Sequence, residues 1–243
     1  MKTVGVIPAR FGSTRFPGKP LVPILGKPLL QWVIEGARTA KRIDEIRVAT
    51  DHPEIADLAR RLDVVAVMTP SDLPTGTDRV HYATRKDNFD IILNIQGDEP
   101  LITGDLLDRL VAPMKEDPSL EMATLGRSLQ DGDLASPNTA KIVVNQQGHA
   151  LYFSRQPLTP SLKHIGIYAY RGSFLTRFCA QPPVEMEKAE RLEQLRALYL
   201  GATIRVVQVE HSSWGVDTPE DVAKVEAILR AQTIDATGKL PVS

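Results

Sequence analysis

A segment near the amino terminus carries the residue types that hold phosphate groups. It runs from Pro8 to Pro20 and contains three cations, two glycines and two small hydroxyl residues, namely Arg10, Arg15, Lys19, Gly12, Gly18, Ser13 and Thr14. Glycines let backbone N–H groups approach phosphate oxygens, arginine binds phosphate in a bidentate manner, and lysine supplies a mobile charge. The segment therefore indicates a triphosphate-binding loop; the alternative is a solvated basic surface loop.

Two familiar phosphate motifs do not describe this loop. The pattern G-x-x-x-x-G-K-[ST] does not occur in it, and the spacing of Gly12 and Gly18 does not match the dinucleotide fingerprint. Long loops in compact domains are uncommon unless they are functional, and these cations directly follow a predicted strand. The spacing therefore favours phosphate binding of another kind.

Two aspartates are candidate metal ligands. Asp98 follows the apolar run from Ile91 to Ile95, and Asp217 stands directly before Thr218 and Pro219. Mg²⁺ prefers one or two carboxylates together with substrate phosphates and water. Taken singly, Asp98 is also suited to a turn and Asp217 to the start of a helix. With a phosphate loop nearby, the pair predicts a magnesium site.

The elements that must position these residues alternate between strand and helix in the first half of the chain. This alternation predicts βαβ units and a mostly parallel sheet, with ligands at the carboxyl ends of the strands. The predicted strands are 3–7, 46–49, 64–68 and 90–95, and the predicted helices are 28–39, 53–62, 76–85 and 103–115.

The pattern loosens in the second half of the chain. Strand-like runs at 122–125, 140–144 and 164–170 suggest antiparallel pairing, as in an inserted sheet or a dimerisation flap. One long helix is predicted over 184–200, then a strand over 203–209 and a last helix over 218–231. We expect a single α/β domain over 1–232, with helices flanking a mostly parallel sheet, a small mixed-sheet insertion and a sugar-binding or dimerisation subdomain around 122–200. Residues 233–243 are predicted to be a tail.

The composition of the chain argues against a nucleic-acid-binding, membrane-bound or disulfide-bonded protein. The chain has 243 residues and a net charge of −1, so no bulk field attracts nucleic acid or an anionic membrane. A single cysteine, Cys179, allows no intrachain disulfide and is expected to be a small buried side chain. The first apolar run is too short for a secretory signal, and no stretch is long enough to span a bilayer. We therefore expect a cytoplasmic protein without a nucleic-acid or membrane partner.

The loop from Pro8 to Pro20 closely resembles the signature of the 3-deoxy-manno-octulosonate (Kdo) cytidylyltransferase family. Further similar motifs follow in the same order along nearly the whole chain, at 49–51, 76–79, 94–100, 150–155, 164–168, 192–196 and 215–221. The resemblance implies a nucleotide-diphospho-sugar transferase fold, a homodimer, and a Mg²⁺-dependent reaction of CTP with an acidic keto-sugar that serves lipopolysaccharide synthesis. Only Gln156 to Lys163 separates Arg155 from His164, which is shorter than is usual in the family.

The resemblance also implies a role for individual residues. The catalytic set is Asp98, Asp217, Arg15 and Lys19, of which Asp98 and Asp217 bind the metal. The nucleotide-binding set is Arg10, Ser13, Arg15, Lys19, Gly76, Thr77, Arg79 and Gln96. The sugar-binding set is Arg155, His164, Tyr168, Glu193 and Gln194.

The sugar-binding residues also have structural explanations. His164 alone is more often a satisfied structural histidine, Tyr168 suits strand packing, and Glu193 suits the exposed face of a helix. As sugar ligands, Arg155 offers a carboxylate fork and the other four offer mixed donors and acceptors.

Several functions remain open at this point. Relatives that use the 8-amino analogue of Kdo share the same motifs, and cytidylyltransferases for nine-carbon acidic sugars are similar. More distant alternatives are a uridylyl- or guanylyltransferase for a neutral sugar and a nucleotide-binding module without catalysis. The pairing of Arg155 with Gln194 favours an acidic acceptor.

Overall fold

The computed structural model describes residues 1–12, 16–211 and 214–237. Its strands are β1 (Thr3–Ala9), β2 (Pro23–Ile24), β3 (Lys27–Pro28), β4 (Glu45–Thr50), β5 (Val65–Met68), β6 (Ile91–Asn94), β7 (Met122–Arg127), β8 (Lys141–Val144), β9 (Ala150–Ser154), β10 (Leu162–Arg171) and β11 (Ile204–Gln208). Its helices are α1 (Leu29–Arg38), α2 (Pro53–Arg61), α3 (Gly76–Thr84), α4 (Gly104–Glu116), α5 (Gly172–Ala180), α6 (Glu185–Glu190), α7 (Gln194–Tyr199) and α8 (Pro219–Thr237).

One nine-stranded sheet organises the chain. Its main order is β11-β7-β10-β6-β1-β4-β5, and β8 and β9 extend it from β10. Strands β6, β1, β4 and β5 are parallel, as the alternating pattern predicts. Strand β10 runs antiparallel to β6, β7 and β8. The expected fold class is confirmed, because a mostly parallel sheet is flanked by helices and its antiparallel part falls in the predicted insertion.

Helices cover both faces of the sheet. One core packs α1, α2 and α4 against one face, and Leu30, Ile55 and Leu107 are fully buried in it. The other core packs α3, α5 and α7 against the opposite face, with Phe174 and Leu195 in its interior. Both sides of the parallel strands are therefore removed from water, which accounts for the continuous apolar runs in the sequence.

Helix α8 lies over a smaller third cluster. Its Val225 and Leu229 are buried with Ile24 of β2, Leu29 of α1 and Val216. This packing carries Asp217, two residues before the helix, to the carboxyl edge of the sheet. The helix continues to Thr237, so the predicted end at Ala231 is wrong.

The single helix predicted over 184–200 is wrong. The segment forms α6 and α7, and Arg191 between them has a left-handed backbone with φ 55°. The helical spacing of Leu192, Leu195 and Leu198 reports on α7 and not on the segment before Arg191, so it does not reveal the break. Strand β9, helix α5 and the β2–β3 hairpin were not predicted.

Candidate active site

A cleft of about 370 Å³ opens at the carboxyl edge of the parallel strands. It lies where β1 and β6 end side by side, with Val6 in register with Asn94. Parallel α/β sheets bind ligands at this edge. The lining residues are Pro8, Ala9, Arg10, Lys19, Pro20, Leu73, Pro74, Thr75, Gly76, Arg79, Gln96, Gly97, Asp98 and Asp217.

Most of the predicted nucleotide and metal residues meet in this cleft. Arg10, Lys19, Gly76, Arg79, Gln96, Asp98 and Asp217 all line it. Arg10 and Asp217, the two ends of this set, are 207 positions apart in the sequence, and the sheet and α8 bring them together. Ser13 and Arg15, which belong to the same prediction, lie outside the described residues.

The ammonium of Lys19 lies between the two predicted metal ligands. Its Nζ is 2.8 Å from Oδ2 of Asp98 and 3.5 Å from Oδ1 of Asp217. Gly18 precedes it with φ 68°, a backbone conformation that glycine adopts at low cost. The Gly18 N–H donates to the carbonyl of Phe11 across 3.0 Å, which closes the loop on itself. This closure points Lys19 into the cleft.

The two aspartates fit a magnesium ion that is completed by phosphate and water. Both carboxylates reach one cation, the Lys19 ammonium, so a divalent ion at that position would find two oxygen ligands. Among the described residues, no group of three or more His, Cys, Asp or Glu side chains is arranged to hold a metal. A site with two carboxylates is therefore the arrangement that the chain offers, and substrate oxygens would have to supply further ligands.

A close backbone contact forms the floor of the cleft. A Cβ atom at Gly97 would lie 2.7 Å from the carbonyl oxygen of Pro8. Glycine is therefore required where the loop after β6 passes the end of β1, and this contact sets the position of the neighbouring Asp98.

Arg79 is a buried cation in the wall of the cleft. Only 3% of its surface is exposed, and its guanidinium donates to the hydroxyl of Thr69 and, across 3.2 Å, to Oδ2 of Asp51. Burial lowers the pKa of Arg79, and Asp51 acts in the opposite direction. Arginine nevertheless remains charged in proteins. The wall of the cleft therefore contains a fixed ion pair between Arg79 and Asp51.

Asp51 was not predicted as a site residue. Its second oxygen, Oδ1, accepts the backbone N–H of Phe11 across 3.2 Å, so one carboxylate orients both Arg79 and the start of the phosphate loop. The ring of Phe11 also stacks on His52 at a centroid distance of 4.0 Å. The position of Asp51 directly after a parallel strand was the available sequence signal.

Three of the five predicted sugar residues form one hydrogen-bonded cluster. His164, Tyr168 and Gln194 are connected through Gln194, whose amide oxygen accepts from Tyr168 across 3.3 Å and whose nitrogen lies 3.4 Å from Nδ1 of His164. Among the described residues that line the 370 Å³ cleft, none belongs to the predicted sugar set. The cluster is therefore a separate, more buried part of the molecule.

A bulge in β10 brings His164 and Tyr168 together. The register against β7 shifts between Ile165 and Tyr168, so two extra residues leave the strand pairing there. In a regular strand, residues four apart are about 13 Å apart. Here the rings of His164 and Tyr168 have a centroid distance of 5.5 Å. The bulge therefore brings into contact two side chains that lie four residues apart along the strand.

Glu193 is connected to the predicted nucleotide side. Its carboxylate accepts from the hydroxyl of Thr77, which in turn accepts from the amide of Asn94 across 3.1 Å. Burial raises the pKa of Glu193. Thr77, a predicted nucleotide ligand, is 1% exposed and adjoins Gly76 of the cleft wall. The exposed helix face considered for Glu193 is therefore wrong.

Arg155 follows β9, and hydrogen bonds from side chains hold its backbone on both sides. Its N–H donates to Glu190 across 2.9 Å, and its carbonyl accepts from the buried ammonium of Lys141 across 2.8 Å. Its guanidinium donates to the carbonyl of Asn138 across 3.1 Å. Neither Glu190 nor Lys141 had a sequence signal, because their roles depend on contacts between distant segments.

The mostly parallel sheet, with a basic loop and paired carboxylates at its carboxyl edge, is the arrangement expected of a nucleotidyltransferase, and comparison with known proteins supports this class. A profile of the cytidylyltransferase family matches residues 4–204. The chain is 54% identical to 3-deoxy-manno-octulosonate cytidylyltransferase from Bdellovibrio bacteriovorus, over 96% of this chain and 99% of the relative. It is 44% identical to the enzyme of the same name from Geobacter sulfurreducens, over 93% and 98%. The chain belongs to the 3-deoxy-manno-octulosonate cytidylyltransferase family.

Solved structures agree with this assignment. A structure of CMP:2-keto-3-deoxy-manno-octonic acid synthetase complexed with CTP superposes with a TM-score of 0.91 at 42% identity, covering 96% of this chain and all of that one. A cytidylyltransferase from Leptospira borgpetersenii has a TM-score of 0.66 at 19% identity, which shows the shared fold alone.

Proposed function

We propose that this protein couples CTP to 3-deoxy-manno-octulosonate and releases CMP-Kdo and pyrophosphate. The observation that carries the proposal is the cleft in which Lys19 lies between Asp98 and Asp217, in a chain 54% identical to a 3-deoxy-manno-octulosonate cytidylyltransferase over nearly its whole length. The product is expected to enter lipopolysaccharide synthesis.

In the proposed reaction, the anomeric hydroxyl oxygen of the sugar attacks the α-phosphorus of CTP. The bond between that phosphorus and the bridging oxygen to the β-phosphate breaks, and the hydroxyl proton passes to solvent. Such a transfer depends mainly on positioning and charge stabilisation. Arg10, Arg15 and Lys19 would hold the triphosphate with Ser13, and Lys19 and Arg15 would stabilise the departing pyrophosphate.

We propose that Asp98 and Asp217 hold Mg²⁺ in the working enzyme. When bound, the ion would polarise the α-phosphate and favour ionisation of the attacking hydroxyl. Before that, the contacts with Lys19 keep the two carboxylates paired with an internal cation. A bound ion would compete with Lys19 for these carboxylate oxygens, and the phosphates of CTP would offer the lysine a new partner.

The base and the sugar are assigned to neighbouring parts of the site. Gly76, Thr77, Arg79 and Gln96 are proposed to hold the cytidine end, and Arg155, His164, Tyr168, Glu193 and Gln194 the acidic sugar. The bond between Thr77 and Glu193 supports this arrangement, because it joins a residue of the first set to one of the second.

A panel of pyrophosphate-release assays tests the function. CTP, UTP and GTP are each combined with Kdo, its 8-amino analogue, a nine-carbon acidic sugar and a neutral hexose, with and without Mg²⁺. We expect release with CTP and Kdo that requires the metal. Faster release with another sugar would replace Kdo as the acceptor, and no release with any pair would favour a binding module without catalysis.

We also propose a homodimer in the cytoplasm. Support for the dimer comes from large apolar side chains exposed in the region 122–200, where Leu151 of β9 and Tyr199 of α7 are 57% and 62% exposed. Sedimentation equilibrium is expected to give twice the mass of the chain, and a monomer at micromolar concentration would contradict it.

None of the helices in the described part of the chain is long and apolar enough to cross a membrane.

A further inference from the structure

Three buried side chains and the partly buried His164 form a continuous series of hydrogen bonds between β7, β10 and α7. The hydroxyl of Thr124 is 3.0 Å from Nε2 of His164, and the amide nitrogen of Gln194 is 3.4 Å from Nδ1 of the same ring. Tyr168 donates its hydroxyl to the amide oxygen of Gln194 across 3.3 Å. Thr124 is fully buried and Gln194 is 1% exposed, so water does not replace these partners.

Two backbone carbonyls of the β10 bulge indicate which group donates and which accepts in each of these hydrogen bonds. The hydroxyl of Thr124 has one hydrogen and lies 2.9 Å from the carbonyl oxygen of Ile167 and 3.3 Å from that of Ile165. A carbonyl oxygen only accepts, and two of them lie within reach of this single hydrogen, so we infer that Thr124 donates to the bulge. Its contact with His164 then uses a hydrogen on Nε2.

The donor and acceptor roles in the remaining hydrogen bonds follow from the hydrogen on Nε2 of His164. A neutral imidazole with hydrogen on Nε2 has a bare Nδ1, which accepts from the amide nitrogen of Gln194. The amide oxygen then faces Tyr168 and accepts its hydroxyl hydrogen. The reversed amide would place oxygen against bare Nδ1 and nitrogen against Tyr168, so the tautomer selects one of the two amide orientations.

We propose that His164 serves the sugar side of the site indirectly, as a neutral Nε2–H tautomer and a positioning residue: it locks the amide of Gln194 so that Tyr168 offers only acceptor positions to the sugar. The inference rests on the proposed function and deepens it, because it states which hydrogen-bond donors and acceptors this part of the site presents to the sugar. Tyr168 has given its hydrogen to Gln194, and the amide of Gln194 keeps one N–H. The site therefore suits a ligand that presents a hydroxyl hydrogen to Tyr168, as a polyhydroxy sugar does.

Burial keeps the imidazole of His164 neutral. Burial, and to a lesser extent the Arg155 guanidinium, lower the pKa of His164 to about 3. Glu193, at the start of α7, is the nearby carboxyl group, and its own pKa is raised by burial while it accepts from Thr77. Burial and Glu193 raise the pKa of Tyr168, so the phenol keeps the hydrogen that it donates.

Nitrogen NMR of the full-length protein tests the tautomer directly. Histidine-labelled protein is recorded in long-range ¹H–¹⁵N spectra between about pH 5 and pH 8, where an ordinary histidine titrates. The chain has five histidines, and the signal missing from His164→Asn identifies His164. We expect a protonated Nε2 and a bare Nδ1 across the range. A protonated Nδ1, or titration within the range, would overturn the inference.

Two variants separate positioning from simple packing. In His164→Asn the side-chain oxygen is expected to reach the place of Nδ1 and accept from Gln194, whereas His164→Phe fills the space without an acceptor. We expect His164→Phe to raise the KM for Kdo on the order of tenfold with the KM for CTP unchanged, and His164→Asn to restore most of the loss. An unchanged KM for Kdo in the Phe variant, or equal losses in both, would contradict the inference.

A third variant covers the case in which His164→Phe does not fold. In Gln194→Glu the carboxylate cannot donate to Nδ1, so His164 is expected to take up a proton and titrate within the recorded range. A ring that stays neutral in this variant would contradict the inference. If the wild-type protein releases no pyrophosphate from CTP and Kdo, the proposed function fails, and the NMR spectra still decide the tautomer.

Discussion

Lys19 and its two aspartates combine opposite charges at one point of the cleft. The Lys19 side chain is 15% exposed, and its contacts of 2.8 and 3.5 Å set one positive charge against the two carboxylates of Asp98 and Asp217. An internal cation of this kind lowers the repulsion between the carboxylates before a substrate arrives. In the proposed reaction, Lys19 and a metal ion would compete for the two carboxylates, and the triphosphate would compete with the carboxylates for the lysine.

Replacing either aspartate tests the metal assignment. Asp98→Asn and Asp217→Asn each remove one charged oxygen ligand at nearly constant volume, so we expect turnover to fall at least about 100-fold. Thermal unfolding is expected to change little, because both side chains are partly exposed. Asp105→Asn is the matched control, since Asp105 is 77% exposed and pairs with Arg109 outside the cleft. Near-normal rates in either variant would refute the assignment.

Replacing the lysine tests the competition for the aspartates. In Lys19→Met the ammonium no longer opposes a divalent ion, so nucleotide-free protein is expected to bind Mn²⁺ more tightly, while turnover falls about 100-fold. Electron paramagnetic resonance of free Mn²⁺ measures the affinity. Lys27→Met is the control, because Lys27 pairs with Glu35 instead. Unchanged Mn²⁺ affinity in Lys19→Met would show that the lysine does not compete.

At the scale of elements, a buried ion pair joins the two short helices that replace the predicted long one. Arg196 of α7 donates to Glu187 of α6 through two nitrogens, at 2.8 and 2.5 Å, and its guanidinium lies 4.5 Å from the ring centroid of Phe178. Arg196 is 3% exposed and Glu187 8%. The pair therefore fixes the angle at which α7 presents Gln194 and its neighbour Glu193.

Breaking this pair is expected to destabilise the fold. Arg196→Met leaves the Glu187 carboxylate buried without its partner, so the free energy of unfolding should drop by about 3 kcal/mol. In Glu187→Leu/Arg196→Met no buried charge remains, and most of the loss should be recovered. Urea unfolding measures both changes.

The control for this experiment is Arg177→Met. Arg177 pairs with Glu121 and is 52% exposed, so its loss is expected to cost less than about 1 kcal/mol. Equal losses in the free energy of unfolding at positions 177 and 196 would mean that burial does not decide how much an ion pair contributes to stability.

At the scale of the whole molecule, the sheet places charged and titratable groups in its interior and at its carboxyl edge. Burial lowers the pKa of His164 to about 3, from about 6.5 in an unfolded chain. Burial also lowers the pKa values of His81 and His211. Between these values the unfolded chain binds protons that the folded protein does not, so stability is lost as the pH falls from about 6.5.

Unfolding as a function of pH measures this effect. For wild-type protein the free energy of unfolding is expected to fall between about pH 7 and pH 5, with His164 contributing up to about 1.4 kcal/mol per pH unit at the acidic end. The slope should be smaller in His164→Asn, which has no imidazole at this position. Equal slopes for the two proteins would show that His164 is protonated in the folded state.

The local pattern of residues determined much of this protein by itself. Alternating apolar runs predicted β1, β4, β5 and β6 and the helices α1 to α4, because periodicity reports which face of an element is buried. The Pro8–Pro20 loop and Asp98 follow strands that the sequence makes recognisable, so the carboxyl edge was a predictable place for the site.

Only the tertiary structure decided how the distant residues meet. The break at Arg191, the bulge in β10 and the course of β9 depend on contacts between segments far apart in sequence, which leave no periodic signal. For the same reason the joint contacts of Asp51 and the proton direction through Thr124, His164 and Gln194 appear only in three dimensions. A residue's type sets which bonds it can make, and the fold sets which partner is within reach.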